Sequence, residues 1–245
     1  MNAGTLRQVL LITDGCSNQG EDPAAVAALA REEQVTVNVI GVIEQDAISS
    51  NGEKEIEAIA ASGGGVSQIV YTKQLAQTVQ MVTRQAMTQT LQGVVNKELQ
   101  QILGEDTAWE DLSPERRGEV MEVVDELGEQ ADVEVLVLVD TSASMRTKLP
   151  RVEEALTDLS VSLQSRSGRH EIAVHIFPAK RKAAEPLLNW TSELNRLPAT
   201  FQRMSSGGVT PTGPALNEAL AAFRSRRSKR RYLGRGGGEV EERID

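Results

Sequence analysis

Two short aliphatic runs, each ending in an aspartate, constrain this chain more than any other feature. Val9-Leu10-Leu11-Ile12-Thr13 leads into Asp14, and Val135-Leu136-Val137-Leu138-Val139 leads into Asp140. Unbroken runs of Val, Ile and Leu read as strands buried on both faces, as in a parallel sheet flanked by helices. Ligands of open α/β sheets bind beyond the carboxyl ends of the strands, where these aspartates fall.

The segments around the two runs alternate in type. After Asp14, Asp22 and Pro23 form an N-cap and first helical residue for Ala24 to Glu33. Thr36 to Ile43 reads as a second buried strand. Glu53 to Ala61 reads as a helix closed by Gly63-Gly64-Gly65, and Ser67 to Tyr71 as a short strand. A long helix is predicted from about Lys73 to Leu103. After Asp140 come an amphipathic helix, Arg151 to Leu163, and a strand, Glu171 to Phe177. Trp190 to Met204 is mixed and fits no element, and Thr210 to Phe223, opening with Pro211, reads as a helix. This alternation makes the chain α/β. Between the halves, Ala86 to Gln130 is Gln-rich and helical in pattern, its second piece starting at the cap Ser113-Pro114. Gly234 to Asp245 reads as a disordered tail.

Composition narrows the classes. With 40% hydrophobic and 25% charged residues, the chain carries enough apolar material for a sizeable core. The single Cys16 excludes an intrachain disulfide and fits a reducing compartment. The first residues, with one arginine, a short apolar run and then an aspartate, do not read as a signal peptide. No apolar run approaches the ~20 residues of a membrane span. A cytoplasmic location without membrane attachment is expected. The net charge of −9 argues against nucleic acid as a partner. The exception is the basic stretch Arg224, Arg226, Arg227, Lys229, Arg230, Arg231 and Arg235. It reads as a solvated helix end, because Tyr232 is the only aromatic residue interleaved for base stacking.

Three motifs carry the chemistry. Asp140-Thr141-Ser142-Ala143-Ser144-Met145 follows a buried strand, and its three oxygen side chains at alternating positions can converge on a hard cation. A Ser/Thr-rich turn into a helix would look the same. Gly207-Gly208-Val209-Thr210-Pro211-Thr212-Gly213 precedes a helix. Thr210 suits an N-cap, and a hydroxyl there can also face a metal in the adjacent loop. Thr13-Asp14-Gly15 suits a tight turn, and equally places a carboxylate at a strand end.

These motifs resemble the metal-ion-dependent adhesion site of von Willebrand factor A domains: D-x-S-x-S after the first strand, a later threonine, and Asp-Gly after the fourth strand. The matching residues are Asp140, Ser142, Ser144, Thr210 and Asp14. The resemblance implies Mg²⁺ or Mn²⁺, touched directly by Ser142, Ser144 and Thr210 and held through water by Asp140 and Asp14. A carboxylate of a partner would complete the octahedron, with Gly15, Met145 and Gly208 at the partner-binding rim. It also implies a doubly wound, mostly parallel central sheet with helices on both faces, Rossmann-like. Within the family, LLITDGCSNQGEDP and LVDTSASM are similar to small bacterial proteins of the YabS type from endospore-forming firmicutes.

The order departs from the family, in which the Asp-Gly strand follows the threonine helix. Here it opens the chain, so the expected arrangement is a circular permutation. Residues 1–85 are then the family's C-terminal half, 86–130 a helical linker insert on the face away from the metal, and 131–233 its N-terminal half. Together 1–85 and 131–233 form one domain, with 234–245 as tail. Permutation is tolerable because it cuts the chain at a surface loop and leaves the core unchanged. Two other arrangements use the same pieces: halves exchanged between two chains, giving a homodimer, and two degenerate separate domains. The latter ranks lowest, because Cys16 and Asn18 are poor hard-cation ligands.

Enzyme readings are weak. The chain has no P-loop and no G-x-S-x-G elbow. Of its two histidines, His175 falls mid-strand, at a satisfied core or face position, and His170 in a polar turn before it. An aspartate-nucleophile phosphohydrolase would need a second acid where Ser142 stands. The expected function is therefore a Mg²⁺-dependent adaptor that captures an acidic residue of a protein, such as an AAA+ ATPase or a signalling protein. The competing reading is a metal-independent scaffold or dimerisation protein acting through the 86–130 helices.

Overall fold

The computed structural model describes residues 4–44, 49–103, 112–193 and 209–235. Among these residues one sheet holds six strands: β1 (Leu6–Thr13), β2 (Thr36–Ile43), β3 (Gly64–Tyr71), β4 (Val133–Asp140), β5 (His170–Phe177) and β6 (Glu185–Thr191). The helices are α1 (Pro23–Glu32), α2 (Ser50–Ser62), α3 (Leu75–Leu103), α4 (Pro114–Gln130), α5 (Leu149–Gln164) and α6 (Thr212–Arg235).

The spatial order is β3-β2-β1-β4-β5-β6. All neighbours are parallel except β6, which runs antiparallel to β5. The central pair, β1 and β4, is in register from Leu6↔Val133 to Ile12↔Val139. From β1 the chain winds outward to β2 and β3, and from β4 it winds the other way to β5. The strand order therefore reverses between the ends of β1 and β4, at a topological switch point.

Local signals start and stop the elements. Asp22 caps α1 by accepting from the Ala24 amide at 3.0 Å, with Pro23 as first helical residue. Ser49 caps α2 and Ser113 caps α4 in the same way. Alternate residues of each strand go to opposite faces. Leu10, Ile12, Val135, Val137 and Val139 pack under α3 and α5, while Val9, Leu11, Leu136, Leu138 and Phe177 pack under α1, α2 and α6. Both faces are covered, which is why the runs are continuously aliphatic. Each fully buried aliphatic side chain stabilises the fold by about 1.5–3 kcal/mol. One polar chain crosses the sheet: Asn38 donates to Gln8 Oε1 at 3.2 Å and accepts from the Val66 amide at 2.9 Å.

Four points depart from the sequence expectations. The linker boundary at residue 86 falls inside α3, one continuous helix whose Ala86, Met87 and Leu91 are core residues beside Val79 and Val82. The strand β6 has no counterpart in the sequence reading. It is an edge strand, half-exposed, and carries Pro186, which only an edge or a bulge tolerates well. The basic stretch is a continuation of α6 rather than a merely solvated end. Arg226, with 14% of its side chain exposed, pairs with Glu134 at 2.9 Å and also with Glu171, and its guanidinium lies 4.7 Å from the Trp190 ring centroid. Arg224 and Arg227 pair with Glu33, whose carboxyl is held below its ordinary range first by the Arg224 hydrogen bond. Gly234 and Arg235, assigned to the tail, are in α6, and 236–245 lie outside the described residues.

Candidate functional site: a carboxylate and hydroxyl cluster at the switch point

The parallel pairing of β1 with β4 brings Thr13 and Asp14 beside Asp140 at the carboxyl edge of the sheet. A chain of hydrogen bonds joins the two loops there. The Ser144 hydroxyl donates to Asp14 Oδ1 at 2.9 Å, across 130 residues of sequence. The Ser144 and Ser142 hydroxyls lie 3.2 Å apart. The Ser142 amide donates to Asp140 Oδ1 at 2.8 Å, and the Thr13 hydroxyl donates to Asp140 Oδ2 at 2.8 Å. Four of the five candidate residues, Asp14, Asp140, Ser142 and Ser144, thus form one connected group.

The fifth, Thr210, is outside that hydrogen-bonded group and is tied by its backbone to the loop after β1. Its amide donates to Asn18 Oδ1 at 2.7 Å, and its carbonyl accepts from the Asn18 amide at 3.1 Å and the Ser17 hydroxyl at 3.2 Å. Thr210 itself is buried, and α6 begins two residues later. Two glycines let the loops approach this closely. A Cβ on Gly213 would lie 2.1 Å from the Glu21 carbonyl oxygen, and one on Gly20, which has φ +92°, 2.3 Å from Pro214 Cγ. The loop after β1 therefore contacts both the loop after β4 and the start of α6.

Asp140 is fully buried. Desolvation pushes its carboxyl above the ordinary range, opposed by the bonds from Ser142 and Thr13, with the nearby Asp14 adding to the rise. The Asp14 side chain is only 5% exposed, and its second oxygen accepts from Lys148 Nζ. That ammonium also donates to the Ser144 carbonyl at 3.1 Å. On the far side of the loop, Glu55 Oε1 accepts from the Ser17 amide at 2.6 Å, and burial raises its carboxyl.

The donors gathered here are oxygens from carboxylates and hydroxyls, which suit a hard cation. Neighbouring vertices of a Mg²⁺ octahedron are about 3 Å apart, given metal–oxygen distances of about 2.1 Å. The 3.2 Å between the serine hydroxyls and the 2.9 Å from Ser144 to Asp14 match that spacing. Among the described residues no three His, Cys, Asp or Glu side chains cluster as metal ligands.

The rim differs from expectation. Gly15 is half-exposed with open space around it. Met145 is fully buried among the core side chains under α5, so it cannot face a partner. The short 3₁₀ turn Ala143–Met145 rotates its side chain inward. Gly208 lies outside the described residues. His175 is buried, but its Nδ1 has no hydrogen-bond partner among the described residues. The sequence reading missed Lys148, Asn18 and Thr13. Asn18, set aside there as a poor metal ligand, is a brace for Thr210. A cavity of about 540 Å³ lies at the opposite end of the sheet, lined by Arg166, Arg169 and His170. Arg169 there pairs with Asp132, and Arg166 Nη2 donates to the Gly128 and Ala131 carbonyls, while its Nε and Nη1 have no partner among the described residues.

Comparison with known proteins finds one family match and two relatives of nearly full length. The model of the von Willebrand factor type A domain matches residues 2–85. The uncharacterized protein YabS of Bacillus subtilis (strain 168) is 62% identical over 245 residues, which cover 100% of this chain and 98% of that protein. An uncharacterized protein from Alicyclobacillus acidocaldarius, known as a crystal structure, is 41% identical with a TM-score of 0.82 over 92% of this chain and 96% of that one. With near-complete coverage by both relatives, the chain belongs to the YabS family, whose residues 2–85 in this chain match the von Willebrand factor type A domain.

Proposed function

We propose that the protein is a Mg²⁺-dependent protein-binding module, with the cluster at the switch point as its metal-ion-dependent adhesion site. Von Willebrand factor A domains are commonly interaction modules. The observation that carries the reading is the Asp14–Ser144–Ser142 chain, three oxygen side chains with octahedral spacing contributed by distant parts of the sequence. Ser142, Ser144 and Thr210 would hold the cation, and Asp14 and Asp140 would supply the negative charge. A partner's Asp or Glu would occupy the open, Gly15-lined side.

The permuted order belongs to this proposal. The chain through α3 and the chain from β4 to α6 would be the two halves of one domain, completed within a single chain. The central β1–β4 pairing supports completion within the chain, because the carboxylate and the hydroxyls meet without a second copy. The family model's match to residues 2–85 is compatible with a half-domain at the start of the chain. No described helix is long and apolar enough to cross a membrane, in keeping with a cytoplasmic adaptor.

The test is a pull-down from a bacterial lysate with the full chain, in Mg²⁺ and in EDTA, with Asp14→Ala and Asp140→Ala alongside. Partner capture should require Mg²⁺ and both aspartates. Capture that persists in EDTA and in both folded variants would refute the reading.

A further inference from the structure

We propose that Lys148 is a built-in counter-cation of this site, which holds the Asp14 carboxylate and thereby sets the affinity for a divalent cation. The inference rests on the metal-site reading above and adds a regulatory residue to it. The ammonium donates to Asp14 Oδ2 while Ser144 donates to Oδ1, so both carboxylate oxygens are engaged by the loop after β4. The side chains of Lys148 and Asp14 are 12% and 5% exposed, so water screens the pair poorly.

The position of Lys148 makes sense only through that carboxylate. It occupies the N-cap of α5 and makes no side-chain cap bond. Lysine is a poor N-cap, and the positive end of a helix dipole disfavours a cation there. Asp14, placed alongside by the β1–β4 register, supplies the compensating charge. The Ser144 carbonyl at 3.1 Å fixes the ammonium on the same side as the serine hydroxyls.

A divalent cation held by Ser142 and Ser144 needs the charge of Asp14, and so does Lys148. The two cations compete for one carboxylate and repel each other. A unit charge within about 4–6 Å shifts a neighbouring ionisation equilibrium by 1–3 decades, and a dication feels at least as much. Removing the ammonium should therefore tighten cation binding about tenfold to a hundredfold.

The experiment titrates the full-length chain with Mn²⁺, followed by electron paramagnetic resonance of the free ion, with Mg²⁺ as competitor. Wild type is compared with Lys148→Met, Lys148→Gln, Lys148→Arg and Asp14→Asn, each checked for fold by circular dichroism. Lys148→Met and Lys148→Gln should bind Mn²⁺ about tenfold or more tightly than wild type. Lys148→Arg, which keeps the charge, should stay near wild type. If wild type binds through Asp14 but the neutral variants bind no better, the counter-cation is refuted and the metal site stands. If wild type and variants all fail to bind, or Asp14→Asn binds as wild type does, both readings fall.

Discussion

His175 offers a quantitative test of how β5 is buried under α6. It lies on the same strand face as Ala173 and Phe177, paired with Leu138 of β4 and Pro186 of β6. It is 8% exposed, and its Nδ1 has no hydrogen-bond partner among the described residues. Burial depresses the imidazole from 6.5 to about 4, partly offset by the Glu218 carboxylate. The unfolded chain therefore takes up this proton as pH falls through about 6.5, and the folded protein only near 4. Stability is complete above the unfolded value, declines between about 6.5 and 4, and is level below. A gap of about 2.5 units at about 1.4 kcal/mol each amounts to about 3 kcal/mol. The assay is urea unfolding followed by far-ultraviolet circular dichroism at about pH 7, 5.5 and 4, for wild type and His175→Leu. The stability of wild type relative to the variant should fall by about 3 kcal/mol across that range. Working as a difference matters, because Asp140 and Glu55, raised by burial, gain stability on acidification in both proteins and cancel. Parallel pH profiles for the two proteins would refute the argument.

Other perturbations probe the site and its supports. Asp140→Ala leaves the Ser142 amide without its acceptor and the Thr13 hydroxyl with only the Gly15 carbonyl at 3.4 Å, and should cost about 1–3 kcal/mol in chemical denaturation. Asp140→Asn, which keeps one carbonyl acceptor, should lose less. Arg226→Ala strips one of two arginines from Glu134, which is only 3% exposed, and should cost roughly 3 kcal/mol; an unchanged melting temperature would contradict that role. Gly213→Ala forces a methyl against the Glu21 carbonyl, so the start of α6 must move off the loop after β1. It should destabilise by about 1–3 kcal/mol and weaken Mn²⁺ binding in the same titration, through displacement of Thr210.

Much of the molecule was legible in the sequence, for local reasons. The β1 and β4 runs announced double burial through unbroken aliphatic composition, and Asp22 and Ser113 cap helices through residues two or three positions away. The aspartates were legible as strand-end carboxylates, and the resemblance to a family motif grouped them with Ser142 and Ser144. What stayed hidden depends on distant partners. An edge strand such as β6 is half-exposed and so shows no apolar run. The arginines after Phe223 looked merely solvated until Glu33, Glu134 and Glu171 arrived beside them from other strands and loops. Lys148 and Asn18 act on residues 134 and 192 positions away, Asp14 and Thr210. Residue type and periodicity report whether a segment is buried and where it ends. They do not report which side chain from elsewhere will neutralise a charge, because that depends on strand order and register. Here the order β2-β1-β4-β5 places Asp14 against Ser144 and Lys148, and so turns two separate loops into one site.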